Sequence, residues 1–214
     1  MSLQAELEAY KEKFLQKADQ NKIEAFEGGI QEVIQSGILK QALNTGDQAI
    51  SFTLKNAKGQ EVSLDNYLEK GPVVLTWYRG GWCPYCNLSL KHLQQYLPQF
   101  KKEGANLLAL TPELPDKSLS TQEKNELEFE VLSDVNNTVA RQYGLVFQLN
   151  DTVSGYYKQA FDLEVYNGNN SDELPLAATY VIDSSGKIRY AFLDADYRNR
   201  AEPEEVLKQL KQLS

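Results

Sequence analysis

Hydrophobic positions along the chain recur at two kinds of spacing, and the changes from one to the other predict where its helices and strands lie. In residues 1–44, Leu3, Leu7, Tyr10, Phe14 and Ala18, then Ile23, Phe26, Ile30, Val33 and Ile34, keep a helical period that Gly28 and Gly29 interrupt. This N-terminal helical extension carries an apolar stripe that needs cover, either from its own domain or from a second subunit. Thr45-Gly46-Asp47 breaks the period. Residues 49–54 and 61–64 then flank Asn56-Ala57-Lys58-Gly59 as the arms of an N-terminal β-hairpin. Asp65 is placed to cap a short helix ending near Leu68.

Residues 72–78, PVVLTWY, are apolar, β-branched and aromatic, and glycines bound them on both sides, the pattern of a buried strand. Beyond Cys86 the spacing switches: Leu90, Leu93, Leu97 and Phe100 share one helical face, and the helix is expected to stop at Gly104. Residues 105–111 predict a second strand, parallel to the first across a right-handed βαβ unit. Ser120-Thr121-Gln122-Glu123 has the form of a capping box opening a helix to Leu127, and residues 129–132 predict a strand. Ser133 or Asp134 is expected to cap the next helix, and residues 152–160 predict another. The polar, turn-rich segment 161–173 is expected as a surface loop bordering the functional site. Residues 179–182 and 188–193 form a hairpin around Asp183-Ser184-Ser185-Gly186-Lys187, and Glu202-Pro203 opens a last helix buried through Val206, Leu207, Leu210 and Leu213.

Composition narrows the function classes. A chain of 214 residues with 42% apolar content supports one sizeable core, hence one domain over residues 45–214 with the extension 1–44 before it. The formal net charge of −8 argues against nucleic acid and anionic membranes as partners. No apolar run approaches the ~18 residues of a membrane span, and MSLQAELEAYKEKF lacks the apolar centre of a signal peptide. The expected location is the cytosol, where a cysteine pair is catalytic or redox-sensing more often than structural.

Both cysteines of the chain lie in Cys83-Pro84-Tyr85-Cys86, where the central strand ends and the helix begins. Pro84 suits a first helical turn, since its fixed φ is helical and the N–H it lacks has no partner there. A thiol at a helix N-terminus ionises more easily than a free cysteine, and a second cysteine three residues on is within reach to close a disulfide. Two ordinary buried core cysteines are the plain alternative, but the motif and its junction favour redox chemistry. Zinc needs about four ligands, and His92, the single histidine, reads as a partly exposed helix residue. The acids of Asp194-Ala195-Asp196-Tyr197-Arg198 read as solvent-facing, so neither metal nor cofactor is expected.

The segments TGDQAISFTL, VVLTWYRGGWCPYC and ATYVIDSSGKIRYAF resemble the peroxiredoxin-like branch of the alkyl hydroperoxide reductase and thiol-specific antioxidant family, from about Gly46 onward. The resemblance implies an α/β, thioredoxin-like fold, a central mixed sheet flanked by helices. It also implies thiol peroxidase activity on hydrogen peroxide or organic hydroperoxides through a Cys83/Cys86 dithiol–disulfide cycle. A thiol reductant such as thioredoxin or glutathione would restore the pair. Laid on the family pattern P-x-x-x-[T/S]-x-x-C, Cys86 takes the peroxide-attacking place, Cys83 the hydroxyl residue's and Arg79 the proline's. Laid on a thioredoxin, Cys83 attacks and Cys86 resolves; for peroxide the family pattern tips the choice to Cys86. The family's arginine before strand 179–182 is Ala177 or Ala178 here, and the acid that thioredoxins bury before the motif falls at Thr76 or Trp77. Arg79 is a candidate for the missing positive charge. These departures keep two alternatives open, a disulfide oxidoreductase without peroxide chemistry and a non-catalytic redox sensor. A homodimer through the N-terminal stripe is expected.

Overall fold

The structure, a computed structural model, describes residues 1–213. The N-terminal segment forms α1 (Leu3–Lys17), α2 (Gln20–Gln35) and α3 (Ile38–Gln41). The break falls at Ala18-Asp19, not at the glycines: the Asp19 side chain accepts from Lys22 N–H and caps α2. Gly28 and Gly29 lie inside α2, and a Cβ on Gly29 would stand 3.0 Å from Val153 Cγ2, so the glycine allows close packing of a neighbouring helix. Next come β1 (Thr53–Asn56), β2 (Glu61–Ser63), α4 (Leu64–Leu68), β3 (Val73–Trp77), α5 (Pro84–Lys102) and β4 (Asn106–Thr111). The chain continues through α6 (Pro115–Lys124), β5 (Glu130–Ser133), α7 (Thr138–Gln142), β6 (Val146–Gln148), α8 (Asp151–Ala160) and α9 (Leu163–Asn167). It ends with β7 (Glu173–Pro175), β8 (Thr179–Ile182), β9 (Ile188–Phe192) and α10 (Pro203–Lys211).

Seven strands form one mixed sheet in the order β2-β1-β5-β4-β3-β8-β9, and β6 and β7 pair separately. The parallel β3, β4 and β5 with the antiparallel β8–β9 hairpin and α10 give the expected thioredoxin-like core, and β1–β2 is the expected N-terminal hairpin. Alternation along β3 splits the interior into two faces. Val73, Leu75 and Trp77 face a core shared with Leu64, Val139 and Ile38, whereas Val74 and Tyr78 face α5, α10 and α1. The site is on the second face.

Three local expectations are corrected. Ser120 and Thr121 do not open a helix; α6 begins at Pro115, and both hydroxyls bond back to the carbonyls of Asp116 and Lys117 one turn earlier. Asp65 lies inside α4 rather than at its cap, and accepts from the Ser51 hydroxyl. Segment 161–173 is not all loop: Asp162 caps α9, and Gly168 ends it.

Its own domain covers most of the N-terminal stripe, with Tyr10 and Ile34 left exposed. Leu3 and Leu7 join the α5 core, Val33 and Ile38 the opposite one, and Phe26 packs with Val153 and Tyr157 of α8. Contrary to expectation His92 is buried, with Nε2 3.3 Å from Glu6 Oε1 of α1.

Candidate active site

Cys83 is the N-cap residue of α5 and Cys86 lies in its first turn, and neither side chain is exposed to solvent. The backbone before them is pinned by short polar contacts. Asn87 Nδ2 donates to the carbonyls of Gly81 and Cys83 at 2.8 and 3.1 Å, and Asn125 Nδ2 donates to Asn87 Oδ1 at 2.8 Å. Gly81 is required by contact: a Cβ there would lie 2.0 Å from Thr121 Oγ1. Its N–H donates to Glu113 Oε1 at 2.9 Å.

Each sulfur accepts from one buried guanidinium. Arg79 Nη2 donates to Cys83 Sγ at 3.4 Å and Nη1 to Tyr157 Oη at 3.0 Å, while Arg200 Nη2 donates to Cys86 Sγ at 3.3 Å. The Arg79 guanidinium also lies 3.8 Å from the Tyr197 ring centre and 5.0 Å from that of Trp82. Arg200 is held by the carbonyls of Tyr197 and Asn199. Phe161 stacks on Trp82 at 4.6 Å, so the segment expected to border the site does so through this ring.

The two thiols titrate apart. Burial pushes both up. For Cys83 that is outweighed by a hydrogen bond from the Cys86 thiol and by the charges of Arg79 and Arg200, which hold it well below the ordinary cysteine range. Cys86 is raised well above that range, by burial first and then by its bond to, and repulsion from, the Cys83 thiolate. The surroundings thus favour ionisation of Cys83 over that of Cys86.

Two groups at this site carry no signal in the sequence. Arg200 supplies the positive charge absent at Ala177 and Ala178, which are buried, apolar and part of the core. Glu113, fully buried after β4, supplies an acid near the pair where Thr76 and Trp77 cannot. Burial lifts its carboxyl to about 7, against the opposing hydrogen bond from the Gly81 N–H. Asp196, expected to face solvent, is instead engaged in an ion-pair cluster. Its Oδ2 accepts from Arg198 Nη2 at 2.8 Å, and Arg198 Nη1 donates to Glu27 Oε1 at 2.5 Å. This cluster ties α2 to the loop that carries Tyr197 and Arg200.

The chain is similar to known proteins over most of its length. It is 26% identical to peroxiredoxin Bcp of Escherichia coli (strain K12) over 170 residues, covering 79% of this chain and 97% of that protein. It is 28% identical to the chloroplastic peroxiredoxin Q of Populus jackii over 175 residues, covering 80% of this chain and 70% of the relative. Among solved structures, peroxidoxin BcpB from Mycobacterium tuberculosis superposes with a TM-score of 0.64 at 22% identity, covering 80% of this chain and 99% of that one. The sequence profile of the AhpC/TSA family matches residues 45–191, a span that includes β1 through most of β9 and both cysteines, and the chain therefore belongs to the AhpC/TSA family.

Proposed function

We propose that this protein is a thiol peroxidase in which Cys83 is the attacking thiolate and Cys86 the resolving thiol. The observation that carries the reading is the place of Cys83 at the N-cap of α5, with the Arg79 guanidinium on its sulfur and Cys86 within the first turn. The Cys83 thiolate attacks the terminal oxygen of a hydroperoxide; the S–O bond forms, the O–O bond breaks, and the alkoxide or hydroxide leaves and takes up a proton. Cys86 sulfur then attacks the sulfenic acid, and its thiol proton leaves with the hydroxyl as water. A dithiol donor such as thioredoxin, or two molecules of glutathione, reduces the Cys83–Cys86 disulfide and is itself oxidised to a disulfide. Such donors are abundant in a reducing compartment such as the cytosol, and no described helix is long and apolar enough to cross a membrane. Both thiols belong to one chain, so turnover asks nothing of a second subunit.

This assignment departs from the family pattern, which puts the attacking sulfur at Cys86. Trapping the sulfenic acid in Cys83→Ser and Cys86→Ser variants after one equivalent of hydrogen peroxide separates the two. A persistent sulfenic acid in Cys86→Ser alone is expected; one in Cys83→Ser alone returns the role to Cys86. An N-terminal thiolate in a CxxC pair also suits plain dithiol–disulfide exchange. Insulin reduction that is fast, alongside peroxide consumption no faster than that of a free thiol, would replace the peroxidase reading with that one.

A further inference from the structure

A cavity of about 160 Å³ opens beside the thiol pair, walled by α1, α2, α8, the start of α5 and the loop after β9. Nine of its thirteen lining residues are aromatic, among them Tyr10, Phe14, Phe26, Trp82 and Tyr156. Arg79, whose Nη2 donates to Cys83 Sγ at 3.4 Å, and Pro84, the residue after Cys83, also line it. Its size matches the ~150 Å³ apolar cavity that takes up one benzene. In a chain of net charge −8 no acid lines this cavity, yet two cations do, Arg79 toward the sulfur and Lys22 at the α2 side. The Lys22 ammonium lies 5.6 Å from the Tyr156 ring centre, and no carboxylate is within ion-pair distance of it among the described residues.

We propose that this cavity is a substrate subsite for a single-ring arylalkyl hydroperoxide bearing a carboxylate. The ring occupies the aromatic walls, the carboxylate pairs with Lys22, and the hydroperoxyl end meets Arg79 at the Cys83 side. Stacked aromatic walls favour a flat ring over a flexible chain. The absence of acid removes the repulsion that this acidic protein otherwise offers an anion. Much of the wall comes from α1 and α2, so the N-terminal helices give this chain a selectivity that its family-matched span does not encode alone. The inference rests on the thiol peroxidase reading for its chemistry but not for its binding.

The test compares hydrogen peroxide, cumene hydroperoxide and its para-carboxylate in stopped-flow oxidation of the reduced full chain. The carboxylate is expected to react faster than the other aryl substrate. In Lys22→Glu, its rate relative to cumene hydroperoxide is expected to fall about threefold or more, on the scale of one ion pair lost and one repulsion gained. In Ala160→Trp, which fills the exposed rim, both aryl rates are expected to fall about tenfold relative to hydrogen peroxide. Aryl and hydrogen peroxide rates that change in parallel in both variants would overturn the subsite. Binding is read separately with the redox-inert alcohol product, para-carboxylated cumyl alcohol, through quenching of tryptophan fluorescence. Saturable quenching that weakens in Lys22→Glu, with no peroxide consumed, keeps the subsite and sinks the peroxidase reading; no saturable quenching sinks the subsite.

Discussion

The two halves of the thiol site make nearly the same contact and produce opposite thiols. Arg79 reaches Cys83 from four residues away, and Arg200 reaches Cys86 from 114 residues away, at 3.4 and 3.3 Å. Proximity of a guanidinium therefore does not decide which sulfur ionises. Cys83 holds the N-cap of α5 and receives the Cys86 thiol hydrogen bond, while Cys86 faces the charge its neighbour has taken. Once one of two buried thiols ionises, the other is held protonated by the like-charge cost of a second anion, so a small local advantage assigns both roles.

The comparison breaks most visibly if the near guanidinium is removed. Arg79→Gln is expected to raise the Cys83 pKa, because an adjacent positive charge that favours the thiolate is lost. Its peroxide rate at neutral pH should then fall about tenfold or more. In the wild type the rate persists above the depressed Cys83 pKa and is lost as pH falls through it; in the variant that loss begins at higher pH. Ultraviolet thiolate absorbance against pH measures this directly. Arg200→Gln should cost less, about threefold, because its charge is the weaker of the two influences on Cys83. Equal losses in the two variants would end the distinction between near and far halves.

The far half can also be loosened from outside. Glu27 accepts from both terminal nitrogens of the Arg198 guanidinium, at 2.5 and 3.2 Å, and so anchors the loop from Asp194 to Arg200 onto α2. Glu27→Gln leaves Arg198 its Asp196 partner and is expected to lower unfolding stability by about 1 kcal/mol, as for a half-exposed ion pair. The peroxide rate should fall by about twofold, with the shape of the Arg200→Gln pH profile. Urea melts and the profile together check it; a stability loss with an unchanged profile would show that the anchor serves the fold alone.

The same contrast explains what was legible in the sequence. The near half is contiguous, so strand composition, two glycines, a helical proline and a cysteine spacing placed β3, α5 and both thiols. The far half exists only through tertiary contact. Nothing in Tyr197-Arg198-Asn199-Arg200 distinguishes the arginine that meets a sulfur from the one that meets Glu27. Glu113 sits in Thr111-Pro112-Glu113-Leu114, which reads as a solvent loop until the fold closes over it. Ser120 and Thr121 misled because a hydroxyl that can cap a helix can equally bond back within one. Gly29 misled because its cost to the helix is offset where α8 packs close against it, whereas Gly28 borders open space inside the same helix.

Glu113 offers the smallest expected effect on rate and the most particular one on stability. Its Oε1 accepts from Gly81 N–H, while Oε2 is buried with no hydrogen-bond partner. A carboxyl raised by burial from 4.5 to about 7 binds its proton more tightly in the folded state than in the unfolded chain. Its contribution to stability is therefore fully present below pH 4.5 and is lost as pH rises through about 7. Glutamine keeps an acceptor for Gly81 and cannot ionise. Glu113→Gln should flatten stability between those two pH values and be the more stable protein above about pH 7.5, by on the order of 2 kcal/mol. Because an ionised Cys86 would push the Glu113 carboxyl up further, the pH at which wild-type stability declines also reports which sulfur is ionised. If the decline keeps its position in Cys86→Ser, the anion resides on Cys83; if it moves to lower pH, Cys86 has been carrying charge and the two halves of the site must exchange roles.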